Sequence, residues 1–246
     1  MADIWQQTLN WQPLVQQQNQ FQHFYEFILE GNTQLNLTRI TEPLEFWEKH
    51  LWDSLRGIPL FPIPPLFPLS PQRGGEFSSP AFIDIGTGAG FPGIPVAIAV
   101  PNCTVTLLDA TRKKITFLEK IRDALDLTNV KTLTGRSEEI GQQLQHRQSY
   151  DIALVRAVGA ASVCAEYALP LLKQGGLAVI YRGHWTEDEK TSLENAVNQL
   201  GGVIESIEKF TTPLSHSIRH CLYLRKVTIT PAQFPRAVGI PTQKPL

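Results

Sequence analysis

The stretch Phe82-Ile83-Asp84-Ile85-Gly86-Thr87-Gly88-Ala89-Gly90-Phe91-Pro92-Gly93 decides how this chain is read. A short apolar run, suited to a buried strand, feeds directly into a glycine cluster. Prolines follow where the first turn of a helix tolerates them. Glycine lets the backbone turn tightly and approach a ligand that a Cβ would repel. In an α/β chain this loop lies at the carboxyl end of the first strand, so a nucleotide-type ligand is expected there.

Downstream, strand and helix signals alternate, which predicts a doubly wound α/β domain with a mostly parallel sheet. Strands are expected at Ala81 to Ile85, Thr104 to Asp109, Val130 to Thr134, Ile152 to Arg156 and Gly176 to Tyr181. Helices fit between them, notably Thr111 to Leu125 and Ser162 to Leu172. Val203 to Phe210 and Arg219 to Val227 are separated only by a loop, which predicts an antiparallel hairpin completing seven strands. Upstream, Phe21, Phe24, Tyr25, Ile28 and Leu29 recur at helical spacing, with Gly31-Asn32 as a stop. A second helix is expected from Pro43 to Leu55, with Leu44, Trp47, Leu51 and Leu55 on one side. The expected organisation is a helical extension over residues 1–57, a linker or loop over 58–80, the catalytic domain over 81–228 and a tail over 229–246. Pro59, Pro62, Pro64, Pro65, Pro68 and Pro71 crowd the linker, where they exclude helix and central strand.

The glycines leave the ligand open. Gly88 to Gly93 also satisfies G-x-G-x-x-G, so a nicotinamide-dinucleotide oxidoreductase is one alternative. The acidic companions point elsewhere. Asp84 precedes the first glycine by two residues, where it can meet the amino end of a methionine-like group or orient the loop. A pyrophosphate would be repelled by a carboxylate there. Asp109 ends the second strand and can accept both ribose hydroxyls, while Ser137-Glu138 follows the third strand, placed to meet an adenine. Three acidic strand ends suit a cationic, phosphate-free adenosine such as S-adenosylmethionine. A methyltransferase with a small-molecule or protein substrate fits these features too.

The 246 residues are 42% hydrophobic and 18% charged, which is ordinary for a globular chain with a substantial core. The net charge of −1 supplies no global attraction to nucleic acid or an anionic membrane. Cys103, Cys164 and Cys221 are scattered without zinc-ligand spacing, so no metal and no disulfide framework is expected. The N-terminus does not read as a signal peptide, and the longest apolar stretch is proline-broken and too short for a bilayer. A cytoplasmic monomer is the expectation.

The glycine block, Leu35-Asn36-Leu37-Thr38, His50-Leu51-Trp52-Asp53-Ser54, Leu108-Asp109 with Arg112-Lys113-Lys114, and Arg136-Ser137-Glu138-Glu139 form a series with Val155-Arg156-Ala157, Arg182-Gly183 and Arg219-His220. With this series the chain closely resembles the RsmG (GidB) family of 16S rRNA guanine-N7 methyltransferases, over roughly residues 20–226. The resemblance implies a Rossmann-like fold, S-adenosylmethionine as cofactor, and 16S ribosomal RNA or the small-subunit particle as partner. It implies cofactor contacts at Gly86, Phe91, Asp109, Ala110, Thr111, Ser137, Glu138 and Arg156, to which the loop reading adds Asp84, Gly88 and Gly90. Val155 departs from the serine of many relatives, and residues 234–246 resemble a C-terminal extension that is often more basic.

Methylation at guanine N7 needs no general base, because the in-plane lone pair carries no proton. Arg156 is the expected residue between cofactor and base, engaging O6 while N7 stays free. Arg39, Lys113, Lys114, Arg182 and Arg219 are the expected RNA-phosphate contacts, with Lys49, Arg112 and Arg236 as further candidates. His50 and Asp53, three residues apart, are expected to pair or line the site.

Overall fold

The computed structural model describes residues 2–58 and 79–246, so the proline-rich linker falls almost wholly outside the described residues. The N-terminal segment holds α1 (Ala2–Leu9), α2 (Val15–Leu35) and α3 (Pro43–Phe46), a π-type stretch (Trp47–Trp52), and α4 (Asp53–Arg56). The strands are β1 (Ala81–Ile85), β2 (Thr104–Asp109), β3 (Val130–Thr134), β4 (Tyr150–Arg156), β5 (Leu172–Arg182), β6 (Gly202–Thr211) and β7 (Ile218–Lys226). Between and after them lie α5 (Gly93–Ala99), α6 (Arg112–Ala124), α7 (Ser137–Ile140), α8 (Ala161–Ala168), α9 (Glu187–Leu200) and α10 (Ile240–Gln243).

The sheet order is β3-β2-β1-β4-β5-β7-β6. β1 to β5 run parallel, and β7 pairs antiparallel with both β5 and β6. The expected doubly wound, seven-stranded sheet with a terminal antiparallel hairpin is what the chain forms. After β3 the chain returns to the far side of β1, so the strand order reverses between β1 and β4. Ligands bind outside the carboxyl ends of strands at such a switch point.

Alternation along each strand splits the core in two. Phe82, Val105, Leu107, Ile152 and Leu154 face α5, α6 and the N-terminal helices, while Ile83, Ile85, Leu108, Ala153 and Val155 face α8 and α9. The helical extension shares its core with the sheet, and Tyr181 Oη and Tyr223 Oη donate to the carbonyls of Ser54 and Gly57. Two local expectations change. Helix α2 runs through Gly31-Asn32 to Leu35, because Gly31 packs against the Phe117 ring; a Cβ there would lie 2.3 Å from Phe117 Cε2. The segment after Pro43 widens into the π-type stretch, and Leu44 faces solvent while Trp47, Leu51 and Leu55 are buried.

Candidate cofactor cleft

A cleft of about 310 Å³ opens at the carboxyl ends of β1, β2 and β3, lined by Ile85, Gly86, Leu108, Asp109, Ala110, Gly135, Arg136, Ser137, Glu138, Val158, Tyr167 and Thr242. Of the expected cofactor residues, Gly86, Asp109, Ala110, Ser137 and Glu138 are here. Gly86 has φ +69°, and a Cβ on it would meet Val158 Cγ2 at 2.7 Å, so glycine is required by conformation and by space.

The hydrogen bonds of the loop decide what kind of ligand it suits. The amides of Gly86 and Thr87 donate to the Leu108 carbonyl, and those of Gly90 and Phe91 donate to the Thr87 carbonyl. Gly88 N–H donates to Asp109 Oδ2 at 3.0 Å, and Gly93 N–H to Asp84 Oδ2 at 2.8 Å. Anion binding by a glycine loop needs amides aimed at the ligand. Here the amides of Gly86, Thr87, Gly88, Gly90, Phe91 and Gly93 are committed internally, which counts against the dinucleotide alternative.

Asp84 is fully buried and holds the loop through Thr87 Oγ1 and Gly93 N–H. Burial raises its carboxyl to about 6 against those hydrogen bonds, and its Oδ1 is buried without a partner among the described residues. A buried acceptor without a donor is costly, and a cationic amine supplied by a ligand would relieve it. Asp109 accepts from Gly88 N–H on one oxygen and Thr111 N–H on the other, each keeping a lone pair for a hydroxyl donor. Glu138 Oε1 accepts from Tyr167 Oη and from Gly239 N–H, while Oε2 has no partner among the described residues. This donor and acceptor set fits an adenosine that carries a positive charge and no phosphate.

Other expected residues lie elsewhere. The Phe91 ring is buried against Phe24, Phe46 and His50, stacking on the imidazole at 4.3 Å between centroids, so it joins the helical extension to the loop instead of lining the cleft. Arg156 is also outside the cleft lining. It donates to the Lys49 carbonyl at 3.1 Å, pairs with Asp53 at 3.3 Å and points Nη2 at His50 Nδ1 at 3.4 Å, with its guanidinium carbon 5.3 Å from the Phe91 ring centre. His50 and Asp53 make no bond to each other among the described residues; both meet Arg156. Immediately afterwards Ala157 adopts φ +57°, a sparsely populated conformation for a non-glycine residue.

The His50 tautomer follows from its neighbours. Arginine has only donors, so Nδ1 must be the acceptor and Nε2–H must donate to Thr38 Oγ1 at 2.8 Å. Burial, helped by the Arg156 and Lys49 charges, pushes the His50 pKa down to about 3. The unfolded chain then binds a proton at His50 that the fold refuses, so stability falls as pH drops below about 6.5. From pH 8 to pH 5 the wild type is expected to lose about 2 kcal/mol more stability than His50→Gln. Denaturant titrations at the two pH values check this, and parallel pH slopes would mean that His50 takes up its proton in the fold as readily as in the unfolded chain.

The expected RNA contacts divide. Arg39 and Lys113 are exposed, Lys114 and Arg219 half-buried. Arg182 donates to the Gly159 carbonyl and pairs with Glu189. Arg236 grips the fully buried Glu166 through Nε and Nη2. Tyr167, Thr242 and Arg136 line the cleft without having been expected there; nothing in their spacing signals it.

Comparison with known proteins supplies the family. Residues 17–221 match the GidB family model, described as rRNA small subunit methyltransferase G. The chain is 72% identical to ribosomal RNA small subunit methyltransferase G of Nostoc punctiforme, over 100% of this chain and 97% of that protein. It is 57% identical to the protein of the same name from Trichodesmium erythraeum, over 100% and 93% of the two chains. Among solved structures, a branched-chain polyamine synthase mutein from Thermus thermophilus superposes with a TM-score of 0.50 at 11% identity, covering 62% of this chain and 52% of that one, a likeness of fold alone. With a family match spanning most of its length and relatives this close, the chain belongs to the GidB family, rRNA small subunit methyltransferase G.

Proposed function

We propose that this chain transfers a methyl group from S-adenosylmethionine to N7 of a guanine in 16S ribosomal RNA, as free RNA or within a small-subunit particle, acting as a cytoplasmic monomer in bacteria. No helix among the described residues is long and apolar enough to cross a membrane. The observation that carries the reading is the glycine loop, its Gly88 amide tied to Asp109, opening onto a cleft that the Asp109 and Glu138 carboxylates line.

The chemistry that bound S-adenosylmethionine supplies is a methyl carbon on a sulfonium, which the N7 lone pair takes in line as the C–S bonding pair leaves with sulfur. The product guanine is cationic at that moment and loses no proton, so the chain needs to orient and to exclude water. Orientation of this kind is worth about 7–11 kcal/mol where the geometry is good. Asp109 is assigned to the ribose hydroxyls, Glu138 Oε2 to the adenine amino group, and Asp84 Oδ1 to the amino end of the methionine part. Gly86 and Ala110 leave room for the adenosine, Ser137 closes its edge, and Gly88, Gly90, Phe91 and Thr111 hold the loop in shape. Arg156, locked by Asp53 and His50, is assigned to position the guanine edge.

The test is methyl transfer from labelled S-adenosylmethionine to small-subunit particles lacking the modification, followed by digestion to nucleosides. Labelled 7-methylguanosine is expected; label in another nucleoside or none at all overturns the reading.

Lys113 and Lys114 stand in the first turn of α6, preceded by Arg112. Cations at a helix N-terminus oppose the macrodipole, so these charges lower stability unless an anion faces them. Replacing both lysines with alanine is expected to weaken RNA binding and to reduce the slope of log affinity against log salt by about 0.7–0.9 for each phosphate that is no longer neutralised. An unchanged slope would remove them from the RNA path and leave Arg39 and Arg219 as candidates.

A further inference from the structure

The C-terminal tail is held too firmly, and in too particular a place, to be a loose appendage. Arg236 donates through its amide and its guanidinium to Glu166 of α8, a carboxylate with no exposed surface. From the other side, Arg147 donates to the carbonyls of Thr230 and Phe234 at 2.9 and 2.7 Å. Between these anchors the Phe234 side chain is buried in the same core as α8 and β4. The chain then runs to the cleft, where Gly239 N–H donates to Glu138 Oε1 at 3.0 Å and Thr242 forms part of the lining.

The direction of the hydrogen bonds there is fixed by chemistry. A carboxylate only accepts, so the single Tyr167 Oη–H is directed at Glu138 Oε1, 3.3 Å away. The contact between Tyr167 Oη and Thr242 Oγ1, at 3.1 Å, must then be a donation from Thr242. Thr242 to Tyr167 to Glu138 is one ordered relay, with the Gly239 amide adding a second donor at its end. It saturates Oε1 and leaves Oε2 without a partner among the described residues.

We propose that the tail, residues 234–243, is the outer wall of the adenine end of the cofactor site, and that Thr242 is a positioning residue which sets cofactor affinity and adenine selectivity by orienting Glu138. The proposal rests on the cofactor reading of the cleft given above. It takes the tail away from the RNA and gives it to S-adenosylmethionine.

The test uses the full chain with Thr242→Val, which keeps the shape and removes the donor, beside Thr242→Ser, which keeps the donor. S-adenosylhomocysteine and S-inosylhomocysteine, which lacks the adenine amino group, are titrated calorimetrically, and KM is measured for cofactor and for RNA. Thr242→Val is expected to raise the dissociation constant for S-adenosylhomocysteine and KM for S-adenosylmethionine about three- to tenfold. Discrimination against the inosyl analogue is expected to narrow, KM for RNA and kcat to stay as they are, and Thr242→Ser to restore the affinity. Loss of folding in Thr242→Val would show as a fall in kcat and RNA affinity together, and the serine variant then decides by its cofactor affinity alone. Wild-type cofactor binding by Thr242→Val beside weakened binding by Asp109→Asn would overturn the role of the tail and leave the cleft. Undiminished binding by Asp109→Asn as well would overturn the cleft, and a rise confined to KM for RNA would return the tail to the RNA.

Discussion

Gly93→Ala is expected to lower kcat/KM for S-adenosylmethionine by about a hundredfold, with loss of thermal stability. Its Cβ would stand 2.3 Å from Leu107 Cδ2, 2.8 Å from Asp84 Oδ2 and 3.0 Å from Asp84 Cβ. None of these neighbours can give way. Leu107 is fully buried, and Asp84 is fixed by Thr87 and by the very amide of Gly93. Overpacking of this sort costs about 1–3 kcal/mol, which in a chain of this size is a fall in Tm of about 2–12 °C. The functional effect is larger than the stability effect, because the loop itself must move. Gly88 N–H is tied to Asp109, and Gly86 N–H to the Leu108 carbonyl of the neighbouring strand, so a shift at Gly93 displaces the groups that frame the cleft. Misplacement by about 1 Å is enough for a hundredfold loss. Gly159→Ala serves as the control, since its nearest neighbour would be Val163 Cγ1 at an ordinary 3.6 Å. Saturation binding of S-adenosylhomocysteine and a melting curve for each variant give the answer; tight binding by Gly93→Ala would show that Asp84 and the loop are decoupled.

How much of this was open to reading in the sequence depends on the range of the interaction. The strands were legible, because alternation and glycine punctuation are local. Thus β1, β2 and β3 begin and end where the pattern places them. β5 starts earlier than its apolar run, at Leu172, since it pairs with Tyr150 across an irregular register that no local signal marks. The glycine at 31 misleads for the same reason: its place is decided by Phe117, far along the chain, and not by helix termination. In the site, residues on strand ends were within reach. Asp109, Ser137 and Glu138 sit where the topology puts them. Residues that enter the site from outside the repeating pattern were not. Thr242 and Tyr167 meet across 75 positions, and Arg236 meets Glu166 across 70. An arginine in a terminal tail looks like a solvated charge or an RNA contact until its buried carboxylate is seen.

Arg156 is the residue whose removal should be felt most widely. Its side chain and that of Asp53 are 15% and 11% exposed, so Arg156→Ala strands a largely buried carboxylate. Burial already raises the Asp53 carboxyl, with the Arg156 and Arg219 charges opposing, and deleting the nearer cation leaves burial to win. Breaking such a pair costs about 3–5 kcal/mol, a fall in Tm of about 6–20 °C for a chain of this length. That loss alone does not distinguish a staple from a positioning residue. The double variant Asp53→Asn with Arg156→Gln does, because both charges go together and the desolvation penalty goes with them. It is expected to regain most of the stability while kcat stays at least about tenfold low, an effect of roughly 1.4 kcal/mol on the barrier. Arg156→Lys is expected to stay folded and to lose activity too. An ammonium cannot reach the Lys49 carbonyl, Asp53 and His50 at once as the planar fork does. If the neutral double variant methylates at the wild-type rate, Arg156 is only the staple that fastens the helical extension to β4, and another group must hold the guanine edge. If it folds and does not turn over, the guanidinium matters for where it stands beside the loop, and the helical extension is part of the machinery that brings base and cofactor into line.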